Sequence, residues 1–193
     1  SYVLWQWLLG DSATTGTAIS ADNPPTIAST NLVADSGAFG MCTYTGNATA
    51  GATVQHSLGG VPDMIMFKRF GATTANWVVY FKELGAGNSD YLMLDLALAE
   101  GGAGAINWLN STAATSTLVT LGNDGNTNAS DTYIMYLFRN VPGVCKVGSY
   151  TGNGNNDGPY VSVGFSPRYI LVRSTSATRS WNALDTARNP FNI

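Results

Sequence analysis

Hydrophobic and polar positions alternate in short stretches along most of the chain, and turn-forming residues separate the stretches. The alternation is clearest at Trp77–Phe81 and Tyr91–Leu96, which are rich in the aromatic and branched residues that favour strands. The pattern predicts strands at 39–47, 52–58, 63–70, 76–82, 90–98, 117–121 and 131–140, and then at 145–152, 159–164, 168–175 and 180–185. Many short strands with regular turns indicate an all-β fold of the β-sandwich or jelly-roll type.

Two stretches fit this pattern less well. Leu92–Glu100 contains Leu, Met, Ala and Glu, so a short helix remains an alternative to a strand there. Gly10–Ala38 is rich in Thr, Ser and Ala, contains Pro24-Pro25 and shows no lasting periodicity, which predicts a loop. Such a long loop usually has a function or serves as a linker, and it is expected to extend along a neighbouring subunit.

One long stretch occurs twice. Thr43–Trp77 and Ser149–Trp181 each contain Tyr-Thr-Gly-Asn, then a proline that precedes a hydrophobic run, and finally a tryptophan. The tyrosine and the proline are 18 positions apart in the first copy and 17 in the second, and the proline and the tryptophan 15 and 14. Such spacing predicts a duplicated structural unit, with Trp77 and Trp181 as core residues on equivalent strands.

The repeat divides the chain into four parts. A complete β-sandwich unit is predicted at 39–142 and the first part of a second, homologous unit at 143–193, after an extended connector at 10–38. Residues 1–9 are predicted to be the closing strand of a preceding unit, because Ser1–Trp7 parallels Thr132–Phe138. We therefore expect a fragment of a longer protein in which Tyr2–Trp7 completes a sheet beside the 145–185 copy, in its own chain or an adjacent one.

Composition excludes several classes of protein. Charged residues are 11% of the chain, against about 25% in average soluble proteins, and Ser, Thr, Asn and Gly fill most other polar positions. The nine Lys and Arg are scattered and the net charge is −3, so nucleic-acid binding is disfavoured. No apolar run approaches the ~18 residues of a membrane-spanning helix, so membrane insertion is not expected.

Five residues are candidates for a glycan or subunit contact: Tyr44, Asn47, Tyr150, Asn153 and His56. Each tyrosine precedes a Gly-Asn turn, where an aromatic ring and an amide suit sugar stacking. The favoured interpretation is structural, with the tyrosine hydroxyl bonded to backbone and the Gly-Asn pair supplying the positive φ of the turn. His56, the one histidine, alternates with apolar neighbours and is expected to face solvent or a subunit contact.

The sequence singles out no catalytic or cofactor-binding residues. No Gly-x-Ser-x-Gly motif supports a triad with His56, and pairs drawn from Asp95, Glu100, Asp157 and Asp185 are not distinguished from other carboxylates. We therefore expect no enzyme activity and no cofactor.

Three further features are expected to be structural. Asp124–Asp131 faintly resembles a calcium loop, but it lacks the glycine and the final glutamate, so a polar hairpin turn is favoured. Cys42 and Cys145 are expected to be small buried residues rather than a disulfide or metal ligands. Lys68 and Arg173 are expected to be solvated cations at strand ends.

The repeated motifs resemble those of a known group of proteins. The two Tyr-Thr-Gly-Asn starts, His56-Ser57-Leu58-Gly59 before a proline, Tyr133–Phe138 after Asn-Ala-Ser, and Asp185–Asn192 resemble repeats of tail-fibre-like proteins from marine and other tailed bacteriophages. The similarity covers the chain outside the connector.

This resemblance implies a structural or adhesive virion component that mediates host attachment from an extracellular appendage. Its implied partners are copies of itself in a homo-oligomer, with a trimer as one option, other virion proteins and a host-surface glycan. A non-viral carbohydrate-binding module or filament subunit is the alternative. A tail-spike depolymerase is less favoured, because it needs a defined carboxylate pair.

Overall fold

A computed structural model describes residues 14–16, 25–71, 75–84, 90–101 and 108–187, with residues 14–16 described as backbone only. The fold is all-β, and no helix occurs in these ranges. The strands are β1 (Thr14–Gly16), β2 (Ser29–Val33), β3 (Phe39–Thr45), β4 (Ala52–Gln55), β5 (Met64–Arg69), β6 (Val78–Phe81), β7 (Leu92–Met93), β8 (Leu118–Leu121), β9 (Thr132–Phe138), β10 (Tyr169–Val172) and β11 (Asn182–Asp185).

Seven of the strands form one antiparallel sheet in the order β1-β2-β3-β9-β5-β6-β7. Strand β9 lies at the centre and pairs with β3 on one side and β5 on the other. Its side chains alternate as the pleat requires: Tyr133, Met135 and Leu137 are buried on one face, which we call the inner face. The outer face carries half-buried side chains at the intervening positions.

A second layer covers the inner face. It consists of the two-stranded β4–β8 ribbon and the turn that carries Trp108 and Leu109. Ile65 and Phe67 of β5, together with Val54 and Val119 of the ribbon, are completely buried in the core between the two layers. The molecule is therefore β-sandwich-like, as the turn-punctuated pattern predicts.

The outer face carries a smaller apolar cluster that includes Met66, Val79 and Phe81. Leu171 and Trp181, from the separate β10–β11 hairpin, pack against it. Because both faces of the large sheet contact other parts of the chain, its central strands are apolar on both sides.

The β10–β11 hairpin pairs its strands in the same register as the β5–β6 hairpin. Met64 pairs with Phe81 and Phe67 with Val78 in the first copy. Tyr169 pairs with Asp185 and Val172 with Asn182 in the second. With Pro62 aligned on Pro167 and Trp77 on Trp181, these are equivalent positions, and each tryptophan directly precedes the second strand. Trp77 and Trp181 thus occupy equivalent positions in the two hairpins, but each lies just before a strand and both are half-buried, so the prediction that they are core residues on the strands is wrong.

Several sequence-based predictions are wrong in extent. The 90–98 strand is reduced to Leu92–Met93, and the alternative helix over Leu92–Glu100 does not form. The predicted loop at 10–38 contains β1 and β2, which pair as part of the large sheet. The polar composition of β2 predicted a loop, but its Ser and Asn side chains can be buried in a sheet because tertiary hydrogen bonds satisfy them. One such bond runs from the Ser29 hydroxyl to the Gln55 carbonyl.

The strands predicted at 145–152 and 159–164 do not form. No neighbouring strand pairs with either segment within the described ranges, so their backbone lacks the ladder that defines a strand. Residues 1–9, predicted to be a closing strand, lie outside the residues that the structure describes.

Candidate functional site

The first Tyr-Thr-Gly-Asn segment lies inside the molecule. Tyr44 is 3% exposed, and its hydroxyl donates to the Thr127 carbonyl at 2.6 Å. Its ring stacks on that of Tyr133 with centroids 5.2 Å apart. Burial, followed by the nearby Cys42 and Tyr133, raises the pKa of Tyr44 well above its ordinary value. The favoured structural interpretation of Tyr44 agrees with these contacts, and a ring so enclosed has no face open to a sugar.

Asn128, which the sequence did not single out, holds the first turn in place. The side chain is completely buried, and its Oδ1 accepts from the backbone N–H of Asn47 at 2.9 Å. Its Nδ2 donates to the carbonyls of Thr49 at 2.9 Å and Gly122 at 2.6 Å. An asparagine that satisfies three backbone groups joins two loops distant in sequence. Its place within the calcium-like segment Asp124–Asp131 was the sequence feature that pointed to it.

The second Tyr-Thr-Gly-Asn segment lies on the surface. Tyr150 is 56% exposed and Asn153 is exposed as well. Tyr160, ten positions further on, is 92% exposed. We name residues 149–160 the tyrosine segment. Sequence analysis missed Tyr160, although an aromatic residue beside Pro159 in a glycine- and asparagine-rich stretch is an uncommon choice for a turn.

The two turns have the same local geometry despite their different surroundings. Oδ1 of Asn47 accepts from the Thr49 N–H at 3.0 Å, and Oδ1 of Asn153 accepts from the Asn155 N–H at 3.0 Å. The following position has positive φ in both copies, 57° at Ala48 and 72° at Gly154. The positive φ expected at the Gly-Asn pair therefore occurs one residue later, after an Asx turn.

His56 is buried, contrary to the expectation that it faces solvent or a subunit. It is 1% exposed, and its Nε2 lies 3.1 Å from the Thr115 carbonyl. A carbonyl only accepts, so Nε2 carries the proton, and Nδ1 accepts from the Leu58 N–H at 3.4 Å. Burial outweighs the Thr115 bond and lowers the pKa of His56 to about 4. The ring is a neutral structural element between two layers.

The cations at the end of the first strand of each hairpin, Lys68 and Arg173, contact aromatic rings and are not simply solvated. Nζ of Lys68 lies 5.6 Å from the Trp77 ring centroid, and Cζ of Arg173 lies 5.5 Å from that of Trp181. Arg173 also donates to the carbonyls of Met93 and Leu96, which attaches the second hairpin to β7 and to the segment after it. The Trp181 Nε1–H donates to the same Met93 carbonyl at 2.8 Å.

The acidic candidates Asp95 and Asp185 bind backbone groups that are separate from one another. Asp95 accepts from the Trp77 N–H, Asp185 from the Ala187 N–H, and Asp157 is exposed. Glu100 has a raised pKa because of burial and then its hydrogen bond to Asp90, which the sequence did not single out. The structure thus brings together a different pair of carboxyl groups from any composed of the four candidates.

The loop at 124–131 is organised by its own side chains. Asp124 Oδ1 accepts from the Asn126 backbone and side-chain N–H groups, and Asp131 forms an ion pair with Arg69 at 2.7 Å. That ion pair lowers the pKa of Asp131. Within the described part of the chain, no group of three or more His, Cys, Asp or Glu is placed to hold a metal ion. The contacts support the polar-turn interpretation.

The cysteines are unbridged and differ in burial. Cys42 is completely buried, and burial raises the pKa of its thiol to about 12. Cys145 is only half-buried, so the expectation of two buried residues is wrong for this one. Its pKa is also raised, first by burial and then by Asp63.

The layered antiparallel sheets define an all-β, β-sandwich-like protein. The chain belongs to the family described as Domain of unknown function (DUF7483), whose profile matches residues 1–193. No curated protein and no solved structure matches the chain. No helix long and apolar enough to cross a membrane is found in the ranges described.

Proposed function

We propose that this chain is a structural and adhesive module of a bacteriophage tail fibre or similar virion appendage, which assembles as a homo-oligomer and contributes to host attachment. The observation that carries the proposal is the repeated unit, in which the Asx turn and the tryptophan-bearing hairpin recur with matched register. Repetition of one structural unit suits an elongated appendage. The resemblance of the same motifs to tail-fibre repeats gives the viral context.

The chemistry of the described residues suits a binding role more than catalysis. The one histidine is buried and neutral, and both of its ring nitrogens are engaged by the backbone of Thr115 and Leu58, so it is not available as a catalytic base. Nine Lys and Arg against twelve Asp and Glu leave a weakly charged surface. Such a surface relies on hydroxyl, amide and aromatic groups for recognition.

The tyrosine segment is the proposed contact surface for a host glycan. Tyr150 and Tyr160 expose their rings, and Asn153 presents an exposed amide between them in sequence. Aromatic rings stack on the apolar faces of sugars while amides bond to hydroxyls. Of the five sequence candidates, Tyr44 and His56 are enclosed, and Asn47 is exposed but lies beside the buried Tyr44, so Tyr150 and Asn153 carry this proposal.

The test uses purified virions of the phage that encodes the chain. Gold-labelled antibody against residues 143–187 should decorate the tail appendage in electron micrographs. The purified protein, added in excess, should slow adsorption of the phage to its host. Decoration of the capsid alone, or absence of the chain from virions by mass spectrometry, would contradict the virion role.

A matched pair of variants separates attachment from assembly. Tyr150→Ala with Tyr160→Ala should abolish competition for adsorption while the mass of the oligomer stays unchanged. Val144→Ala, at another exposed position, is the control and should compete normally. Glycan binding by a monomeric protein that is not part of any virion would favour the carbohydrate-binding module instead.

A further inference from the structure

A groove lies beside the tyrosine segment. It has a volume of about 430 Å³ and is lined by residues 140–143, 145–146 and 162–164. Pockets that hold small ligands usually have volumes of roughly 300–1,000 Å³. Tyr160 is two residues from Ser162, so the Cα atoms of these two residues are at most about 7 Å apart. The groove therefore adjoins the surface that is proposed to contact a glycan.

Hydrogen bonds within residues 140–147 hold one wall of the groove in place. The Val141 N–H donates to the Cys145 carbonyl at 3.0 Å, and the Cys145 N–H donates to the Val141 carbonyl at 3.1 Å. The side chain of Asn140 accepts from the Val147 N–H at 2.5 Å and donates to the Val147 carbonyl at 3.1 Å. Because these bonds fix the wall without a ligand, binding there costs little conformational entropy.

Lys146 gives the groove a positive charge that the protein does not neutralise. The residue is exposed, and it forms no hydrogen bond or ion pair with any other residue in the described ranges. Cations of the first copy differ in this respect, since Arg69 pairs with Asp131 and Lys82 with Asp63. An ammonium group has three donors and no acceptor, so an anionic group of a ligand suits it best.

No carboxylate among the described residues lines the groove. Asp63 contacts one groove residue from behind, because its Oδ2 accepts from the Asn140 N–H at 2.6 Å. Asp63 is itself buried and forms an ion pair with Lys82. Its charge is thus compensated within the protein, and it leaves the positive charge of Lys146 available to a ligand.

The charge of the surrounding region also favours anions. Residues 143–187 contain four Lys and Arg and two Asp, a net charge of +2, whereas the whole chain has a net charge of −3. The two aspartates, Asp157 and Asp185, do not line the groove. A local excess of positive charge attracts anions even when the net charge of the chain is negative.

We propose that this groove binds an acidic saccharide, whose carboxylate or phosphate group accepts from the Lys146 ammonium and the Ser162 hydroxyl. Val141, Pro142 and Val163 also line the groove and suit the apolar face of a sugar ring. The inference rests on the proposed attachment function, and it narrows the ligand of that function to negatively charged glycans.

Binding of three acidic saccharides and their neutral counterparts tests the inference. The acids are glucuronate, N-acetylneuraminate and glucose 6-phosphate, and the counterparts are the two methyl esters and glucose. For at least one pair, saturation-transfer NMR on the purified protein should give a Kd at least about fivefold lower for the acid, because a charge-assisted hydrogen bond is stronger than a neutral one. Equal affinities within all three pairs would overturn the inference.

Two variants that each remove one positive charge locate the site. Lys146→Gln should abolish the preference for the acid and leave the affinity for the neutral counterpart unchanged. Arg179→Gln is the matched control, at an exposed position of the same region outside the groove lining, and it should keep the preference. Equal losses in both variants would assign binding to the general charge of the region and overturn the groove as the site.

The same variants separate saccharide binding from contact between copies. A fall in the mass of the oligomer for Lys146→Gln, with saccharide binding intact, would assign this lysine to an interface and overturn the inference.

Failure of the inference and failure of the attachment function give different results. If Lys146→Gln competes for phage adsorption as well as the natural chain does, and the chain is found on the tail appendage, the groove inference fails and the virion role stands. If the purified protein binds an acidic saccharide through Lys146 but virions lack the chain, the virion role fails and the binding site stands.

Discussion

The two copies of the repeat share the Asx turn and the hairpin and differ in their burial. Tyr44 is 3% exposed and Tyr150 56%, although each starts the same Asx turn. Gly59 and Gly164, each three residues before the aligned proline, both have positive φ, 75° and 81°. The hairpins that follow pair in the same register. Similar turns therefore occur beside a buried tyrosine in one copy and beside an exposed tyrosine in the other.

This difference shows which parts of a repeat form without contacts to distant parts of the chain. A turn closed by its own asparagine needs no distant partner, and a hairpin supplies both of its strands. A strand such as β3 exists because β9 and β2 satisfy its backbone on both sides. The corresponding residues around Tyr150 have no strand beside them in the ranges described, and they form no strand.

His56 and its counterpart show that polarity does not decide burial here. Counting back from the aligned prolines, His56 corresponds to Val161. The histidine is 1% exposed and the valine 45%. His56 is buried because the Thr115 carbonyl and the Leu58 N–H satisfy its nitrogens beneath the second layer, whereas no strand of the described ranges covers Val161 in the same way.

Truncating the two repeat tyrosines should give the largest difference between the copies. Tyr44→Ala removes a buried ring and the hydroxyl bond to Thr127, so we expect a loss of about 3–5 kcal/mol of unfolding free energy. Tyr150→Ala should cost no more than about 0.5 kcal/mol. Urea denaturation of both variants measures this, and equal losses would contradict the contrast in burial.

Acid should destabilise the first copy through His56. Its pKa is about 4 in the folded protein and about 6.5 when unfolded, so the unfolded state binds the proton first as pH falls. The neutral ring of His56 therefore contributes about 3 kcal/mol to the free energy of unfolding. This contribution is complete above pH 6.5 and is lost as the pH falls to about 4.

The control for this titration is His56→Gln, which keeps a donor for the Thr115 carbonyl but does not titrate. Chemical denaturation between pH 7 and 4.5 should show a shallower decline for the variant than for the natural chain. Parallel declines would mean that the folded ring accepts a proton as readily as the unfolded one.

Removing the cation above each tryptophan should give smaller and comparable effects. Lys68→Met and Arg173→Met keep much of the aliphatic volume and remove the charge, at a cost of about 0.5–1 kcal/mol for the cation–π contact. Arg173→Met should cost somewhat more, because this arginine donates to two carbonyls, those of Met93 and Leu96, whereas Lys68 donates to one, that of Ala75. Thermal unfolding followed by tryptophan fluorescence measures the stability of both variants. A larger loss of stability for Lys68→Met than for Arg173→Met would contradict this prediction.

The smallest effects should come from the turns, where the copies behave alike. Asn47→Ala and Asn153→Ala each remove one side-chain bond to a backbone N–H at an exposed position, worth about 0.5 kcal/mol. Exchange of the Thr49 and Asn155 amides should accelerate about equally, roughly twofold. A much larger change at Thr49 alone would show that the first turn depends on its surroundings.

The sequence by itself determined the all-β class, most strands of the first unit and the repeat, because these follow from alternation, turn chemistry and spacing between neighbours in the chain. It also favoured the correct structural role for Tyr44. The tertiary structure alone decided that His56 is internal, that Asn128 joins two loops, that 29–33 is a strand and that 145–152 is not. Each of these depends on hydrogen-bond partners supplied from elsewhere in the chain, 59 residues away for His56 and 81 for Asn128. Local propensity carries no information about such partners, and they determine where a polar group can be buried.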